Sequence, residues 1–189
     1  TITGIPDVQL SKFATRNEES VNQRTIINNF DGYKKFYFIG GRSQFNNFSG
    51  LIRNIDDIKI YEEGSYNAPI VNVWGISDKN LFLQANEVMA KQQAPFFSII
   101  QTADNHRPYK IPVEDSGFIQ KNISGDTLSK YGFESSKEFH AFAYTDYCFQ
   151  KFIEAAQKEK YFSNTIFVFI GDHGVEGDAS FFYPKAWTE

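Results

Sequence analysis

Short β-branched and aromatic runs alternating with helical patterns predict an α/β fold, a largely parallel sheet with helices on both faces. Three runs carry this prediction: Phe36-Tyr-Phe-Ile39, Pro95-Phe-Phe-Ser-Ile-Ile100 and Thr165-Ile-Phe-Val-Phe-Ile170. None contains a charged residue, as suits strands buried on two faces. Two of them lead into residues with chemistry, Gln101-Thr-Ala-Asp-Asn-His106 and Gly171-Asp-His-Gly174. In open α/β sheets ligands bind just outside the carboxyl ends of the strands.

The elements follow in order. Apolar residues at 5, 8, 10 and 13 predict a helix beginning near Pro6, a residue tolerated in a first turn. Thr1 or Thr3 then lies at a helix N-terminus, which favours anions; a capping threonine or a disordered end fits the same residues. Positions 16–24 are loop-like, and Gly32-Tyr-Lys-Lys opens the first strand, which stops at Gly40-Gly41. Arg42-Ser-Gln-Phe-Asn-Asn-Phe-Ser49 and Leu51-Ile52 predict a loop and short helix at the same sheet edge. There Arg42, Asn46 and Asn47 either contact an oxyanion or simply start the helix. Asp57-Ile-Lys-Ile-Tyr61 alternates like an edge strand, and a polar loop runs through Pro69. Ser77 or Asp78 caps an amphipathic helix over 80–89. After the strand at 95–100, positions 110–131 are loop-rich, with a turn at Gly125-Asp126. Ser135-Ser-Lys-Glu138 is a capping box opening a long helix, apolar at 139, 142, 149, 152, 153 and 156 and ending near Lys160.

Asp172 and His173 follow the last apolar run, between glycines that let the backbone turn, so both side chains could reach one cation. An oxygen and a nitrogen ligand suit zinc or manganese; the same pair also fits a helix cap or a closed turn. His106 is the second histidine at a strand exit, whereas His140 lies inside the long helix as a solvated or packing residue. Two strand-exit histidines on one edge mark a candidate active site. The net charge of −4, with a pI near 5.4 and no basic run, excludes a nucleic-acid or anionic-membrane footprint. Cys148 is the only cysteine, so no internal disulfide forms, and it is expected as a small buried hydrophobe. No apolar run approaches the roughly 20 residues of a spanning helix, and nothing resembles a signal peptide. The chain starts without Met and ends at Trp187-Thr-Glu189. The expectation is a single domain over 1–189, cut from a longer protein and incomplete at both ends.

Asn164-Thr-Ile-Phe-Val-Phe-Ile-Gly-Asp-His-Gly174, preceded by Tyr144-Thr-Asp146 and Phe152-Ile153 on the long helix, resembles the sulfatase branch of the alkaline phosphatase superfamily. More narrowly, the chain is similar to the phosphoglycerol and phosphoethanolamine transferases of the lipoteichoic acid synthase type. Phe38-Ile-Gly-Gly-Arg-Ser-Gln-Phe-Asn-Asn47, Trp74-Gly-Ile-Ser-Asp78 and Asn105-His-Arg-Pro-Tyr109 resemble that group's motifs in the same order. Ala186-Trp-Thr-Glu189 resembles the segment leading to a further histidine-bearing strand.

The resemblance implies that Asp172 and His173 bind a divalent metal, Mn2+ or Zn2+, with Mg2+ a further candidate. Thr1 matches the family's nucleophile, itself touching the metal, and Thr3 is the fallback. His106 is implied to contact the transferred phosphate or its leaving group, with Asn47 and Arg42 also holding substrate. The reaction implied is in-line attack, a phosphothreonine intermediate, and transfer to water or an acceptor hydroxyl. A phospholipid or envelope glycan substrate is implied as well, on the extracytoplasmic face of the cell membrane, with anchoring through upstream segments. The chain departs from the pattern at several points. It has no Cys/Ser-x-Pro-x-Arg motif, which formylglycine sulfatases use. Ile39 and Phe48 stand where lipoteichoic acid synthases place a His and an Arg, and Asn46 stands where many relatives carry Asp. The first acidic metal ligand falls before Thr1 and a later histidine after Glu189, so the 189 residues alone are expected to be inactive. A sulfuric ester hydrolase and a noncatalytic α/β binding domain are the alternatives.

Overall fold

The run Lys34-Lys-Phe-Tyr-Phe-Ile39 forms β1, and its alternation feeds two different cores. Phe36 and Phe38 face one side, against Leu81, Phe82, Ala85, Met89, Tyr144, Cys148 and Phe152. Tyr37 and Ile39 face the other, against Ile27, Ile52 and Ile55. This is the period-2 geometry of a strand covered on both faces. The structure is a computed structural model that describes residues 2, 18–113 and 115–172.

In chain order the helices are α1 (Glu18–Val21), α2 (Phe48–Ile52), α3 (Asp78–Ala90), α4 (Gly125–Lys130) and α5 (Ser136–Ala156). The strands are β1 (Lys34–Ile39), β2 (Ile58–Tyr61), β3 (Ile70–Asn72), β4 (Gly75–Ile76) and β5 (Phe96–Gln101). β2, β1 and β5 form a parallel sheet in that order, with β1 central. α3 and α5 cover one face through stripes at helical spacing: Leu81, Ala85 and Met89 on α3, Ala141, Tyr144, Cys148, Phe152 and Ala156 on α5. On the other face lie α2 and a single 3-10 turn, Ile26–Asn29, closed by a capping box between Thr25 and Asn28. The predicted α/β class and parallel sheet are observed. Cys148 is buried as expected, and burial pushes its thiol pKa up. No helix among the described residues is long and apolar enough to cross a membrane.

Several expectations are corrected. Thr165–Ile170, predicted as a strand buried on both faces, pairs with no strand among the described residues. Ile166 is 90% and Val168 71% exposed. The segment alternates as a strand would, with Phe167 against Phe152 and Phe162, and Phe169 against Phe149. A groove of about 280 Å³, lined by Phe96, Ser98, Ile100 and Thr102 on one side and by 165–170 on the other, separates it from β5. Hydrogen-bonded neighbours lie about 4.8 Å apart, so the gap prevents a ladder. Apolar composition favours a strand, but pairing also needs the neighbouring edge, here that of β5, within hydrogen-bonding reach.

The turn predicted at Gly125-Asp126 is the first turn of α4, started by Ser124, whose side chain accepts from the Thr127 N–H. The loop expected over 16–24 contains the single turn α1, and a β3–β4 hairpin lies in the stretch between Pro69 and Ser77. Phe139 and Phe142 leave the α5 core stripe and pack on Phe133, with rings 5.4 and 5.5 Å away. The helix predicted to begin near Pro6 lies outside the described residues.

Candidate functional site

Parallel neighbours leave a sheet at the same end. The register pairs Ile39 with Gln101, the last residues of β1 and β5. Gly40-Gly41-Arg42 and the 102–106 segment therefore emerge side by side. The β3–β4 hairpin crosses the β1 exit at very close range: a Cβ at Gly75 would lie 1.9 Å from the Gly40 carbonyl oxygen, and one at Gly41 2.7 Å from that of Trp74. Gly75 also has a φ of +103°, a conformation that only glycine adopts freely. This crossing, held by an Ile76 N–H donating to Gly40 O (3.3 Å), sets Trp74 over the edge.

The Trp74 ring lies 4.3 Å from that of His106, and Phe45 meets Trp74 edge-on at 4.9 Å. Trp74 Nε1 donates to the Arg107 carbonyl at 2.6 Å. The same carbonyl lies 2.9 Å from His106 Nδ1. A carbonyl only accepts, so the Nδ1 proton is fixed there, and in the neutral ring Nε2 is left as the acceptor. The geometry thus gathers Phe45, Trp74 and His106 at one exposed edge.

Arg42 and Asn47 sit on the adjoining 40–47 segment. Arg42 Nε and Nη2 both lie 2.9 Å from Glu63 Oε1, so Glu63 already balances its charge. Glu62 Oε2 accepts from Ser43 N–H at 2.7 Å, pinning this segment to the β2 exit. Asn47 starts α2 in the left-handed region, φ 58°, and its amide folds over Gly50. Asp172 is exposed at a bend. Tyr161, just before the 165–170 segment, packs on Phe96 at the start of β5, while Thr102 and Ile170 line the same groove. The segment therefore lies beside β5 across that groove. Thr1, Thr3 and His173 lie outside the described residues. Among the described residues no group of three or more His, Cys, Asp or Glu is arranged to hold a metal. Asp172 is the described half of the predicted pair, and a carboxylate with an imidazole is a donor set that suits zinc or manganese.

Comparison with known families matches residues 21–187 to the family described as Sulfatase. The chain belongs to the sulfatase family. Among curated proteins it is similar to the lipoteichoic acid synthase of Staphylococcus aureus, 24% identical over 176 residues, covering 92% of this chain and 26% of that one. The lipoteichoic acid synthase of Staphylococcus saprophyticus is 23% identical over 150 residues, covering 78% and 22%. The chain thus spans about a quarter of the length of the curated relatives it matches. Its fold is similar to that of a protein in the alkaline phosphatase superfamily from Vibrio parahaemolyticus, with a TM-score of 0.66, 28% identity and coverage of 85% and 38%. A lipoteichoic acid synthase LtaP from Listeria monocytogenes shares the fold at a TM-score of 0.59 and 19% identity, covering 72% and 33%.

In this sulfatase-family chain three carboxylates that the sequence did not mark as site residues, Asp78, Asp104 and Asp115, make mostly buried contacts. Asp115 accepts from Lys79 Nζ (2.7 Å), Tyr144 Oη (3.0 Å) and Gly117 N–H (3.2 Å). Burial pushes its pKa up, but the bonds from Lys79 and Tyr144 and the Lys79 charge outweigh this, and the net shift is downward. Asp78 and Asp104 are buried together, and burial raises both pKa values; the Asp78 charge raises that of Asp104 further. Ser77, one of two predicted caps, is the one used, with its side chain accepting from Asn80 N–H at 3.3 Å. That choice, visible only in three dimensions, frees the Asp78 carboxylate for other contacts.

Proposed function

We propose that the chain is part of the catalytic domain of a metal-dependent phosphoryl-group transferase or phosphodiesterase, of the phosphoglycerol transferase type. The observation that carries this reading is His106, held at Nδ1 and packed at a tilt against Trp74 at the carboxyl edge of a parallel sheet, in a sulfatase-family chain. With Nδ1 occupied by the Arg107 carbonyl, a second proton can sit only on Nε2. The imidazolium then delivers that proton to the leaving oxygen, and the neutral ring can take one back. Thr1, or Thr3 in its place, attacks the phosphorus in line, and the phosphothreonine passes its group to water or an acceptor hydroxyl. Asn47 and Arg42 orient the substrate, Arg42 by exchanging Glu63 for a phosphoryl oxygen. Asp172 and His173, with Thr1, hold a divalent metal, Mn2+ or Zn2+ and otherwise Mg2+, which neutralises phosphoryl charge and lowers the pKa of the threonine hydroxyl.

The lipoteichoic acid synthase relatives support a phospholipid or envelope glycan as substrate, and a domain on the extracytoplasmic face of the membrane, anchored by segments outside these 189 residues. The family description also supports a sulfuric ester hydrolase. The absence of a Cys/Ser-x-Pro-x-Arg motif ranks that reading second.

The test is turnover of a glycerophospholipid and of an aryl sulfate by the full-length protein, with metal titrated in. Phosphodiester cleavage is expected, falling about 10²- to 10⁴-fold in His106→Ala and lost with metal binding in Asp172→Ala. Undiminished turnover in Asp172→Ala refutes the metal assignment. Sulfate release without phosphodiester cleavage selects the second reading, and ligand binding without turnover of either selects a noncatalytic domain.

A further inference from the structure

Two buried aspartates link the segments that carry Trp74 and His106. Asp78 opens α3, but Ser77 caps that helix, and the Asp78 carboxylate reaches back to the β5 exit instead. Its Oδ1 accepts from Ala103 N–H at 2.8 Å, and its Oδ2 from Asp104 N–H at 3.1 Å and Thr145 Oγ1 at 3.2 Å. Asp104 Oδ2 in turn accepts from Asp78 N–H at 2.7 Å. Each aspartate thus receives the backbone amide of the other. Both are only 2% exposed. No cation pairs with either among the described residues; the nearby Lys79 is bound to Asp115. Uncompensated buried carboxylates are costly, so stability alone does not account for the pair.

The location of the pair accounts for it better. Trp74 lies four residues before Asp78, across the tight glycine crossing. His106 lies two residues after Asp104, in a turn closed by its own N–H donating to Ala103 O at 3.0 Å. The 103–104 peptide is therefore fixed to the first turn of α3, and that turn follows β4, the short strand that begins directly after Trp74. One reciprocal contact thus ties together the segments that carry both partners of the ring contact. Other ties of the His106 turn to the rest of the fold are the exposed Trp74–Arg107 bond, the exposed bond from Asn72 Nδ2 to Lys110 O at 3.1 Å, the exposed Arg107–Glu134 pair at 3.8 Å and the bond from Tyr109 Oη to Glu138 at 2.8 Å, none of them buried like the aspartate pair.

We propose that the reciprocal Asp78–Asp104 contact is a positioning device that holds the His106 ring on Trp74, with Nε2 turned to the transferred group. This rests on the role given to His106 above. Asp78 and Asp104 are positioning residues, touching neither substrate nor metal.

The test compares Asp78→Asn, Asp104→Asn and Thr145→Val with His106→Ala in the full-length protein. An asparagine at 78 keeps one oxygen, so its NH2 must face the backbone donor of either 103 or 104. At 104 an asparagine keeps an oxygen for the Asp78 N–H, so Asp104→Asn is the conservative variant. In Asp78→Asn kcat is expected to fall on the order of 10- to 100-fold with KM within about threefold, as for a displaced but intact group. The His106 imidazole NMR resonances should move as the ring leaves Trp74. Asp104→Asn should keep kcat within about threefold and leave those resonances in place. A folded Asp78→Asn with wild-type kcat and unmoved His106 signals overturns the proposal. Should Asp78→Asn not fold, Thr145→Val decides: it removes one of three donors, and kcat should fall severalfold at constant KM, an unchanged kcat overturning the idea. Full activity in His106→Ala sinks the reaction assignment instead. The ring displacement in Asp78→Asn then decides the positioning claim on its own.

Discussion

Replacing Gly75 with alanine tests the backbone crossing that places Trp74. Its φ of +103° lies outside the conformations of L-residues, a strain of about 1–2 kcal/mol. The new Cβ would start 1.9 Å from the Gly40 oxygen, where real Cβ atoms essentially never come within 3.0 Å. The hairpin must therefore back away by more than about 1 Å, which breaks the Ile76–Gly40 hydrogen bond, a loss of about 1 kcal/mol. It also opens the packing of Ile76, a buried core residue whose full exposure costs about 1.5–3 kcal/mol. With Ile76 fully exposed the sum is about 3.5–6 kcal/mol, a large part of the 5–15 kcal/mol of an ordinary domain. Gly64→Ala is the control, because Gly64 has a φ of +92° but nothing within 4 Å of an added Cβ. It should lose only the conformational part, about 1–2 kcal/mol. Urea unfolding followed by circular dichroism measures both, and the difference between the variants isolates the contact. Equal losses in the two would show that the crossing is not tight, and the placement of Trp74 over the sheet edge would lose its physical basis.

Other outcomes follow from the same coordinates. Phe152→Ala removes a ring that is 4% exposed and stacks on Phe82 at 4.9 Å, so thermal unfolding should report a loss of about 3–5 kcal/mol. Asp115→Ala leaves the buried Tyr144 hydroxyl without its acceptor and should cost about 1–3 kcal/mol by denaturant titration. Two limbs of opposite sign are expected in stability against pH. The lowered pKa of Asp115 gives stability that is present above the ordinary value of 3.8 and lost as acid protonates it. The raised pKa values of Asp78 and Asp104 give stability complete below 3.8 and lost as pH rises through the folded-state values. Unfolding of Asp104→Asn across that range should show the alkaline limb flattened and the acid limb intact.

The sequence carried the layers of this fold because layers are written in period. Alternation over 36–39 and the α3 and α5 stripes each say which residues face a core, and the two faces of β1 fill as that alternation requires. Pairing is not written in the same way. Thr165–Ile170 has a strand's composition and even its alternation of packed and open side chains, yet hydrogen bonding depends on what lies beside it in space. The β3–β4 hairpin was missed for a related reason. Its strands span three and two residues, too few for any periodicity to register. At 125–126 a Gly-Asp pair signals a turn and a helix start equally well, and Ser124 as N-cap tips the balance to the helix.

At the site, histidine position was legible because a strand exit can be located from the apolar run before it, as at 96–101. What orients the histidine was not, since its ring partner Trp74 comes from the distant β3–β4 turn and its Nδ1 partner is the carbonyl of Arg107. Glycine offered an unused signal. Gly40-Gly41 reads as a strand end, and Gly75 only as part of the 74–78 motif, yet their shared property is the absence of a side chain where two backbones touch. A Gly-Gly closing a buried strand and a further glycine just before a helix cap are the trace of such a crossing. The residue just before that further glycine, Trp74, is then forced onto the edge where His106 emerges. A tryptophan in that position is therefore a better guide to this site than Arg42, whose charge matched a phosphate in the sequence but is held by Glu63 in the fold.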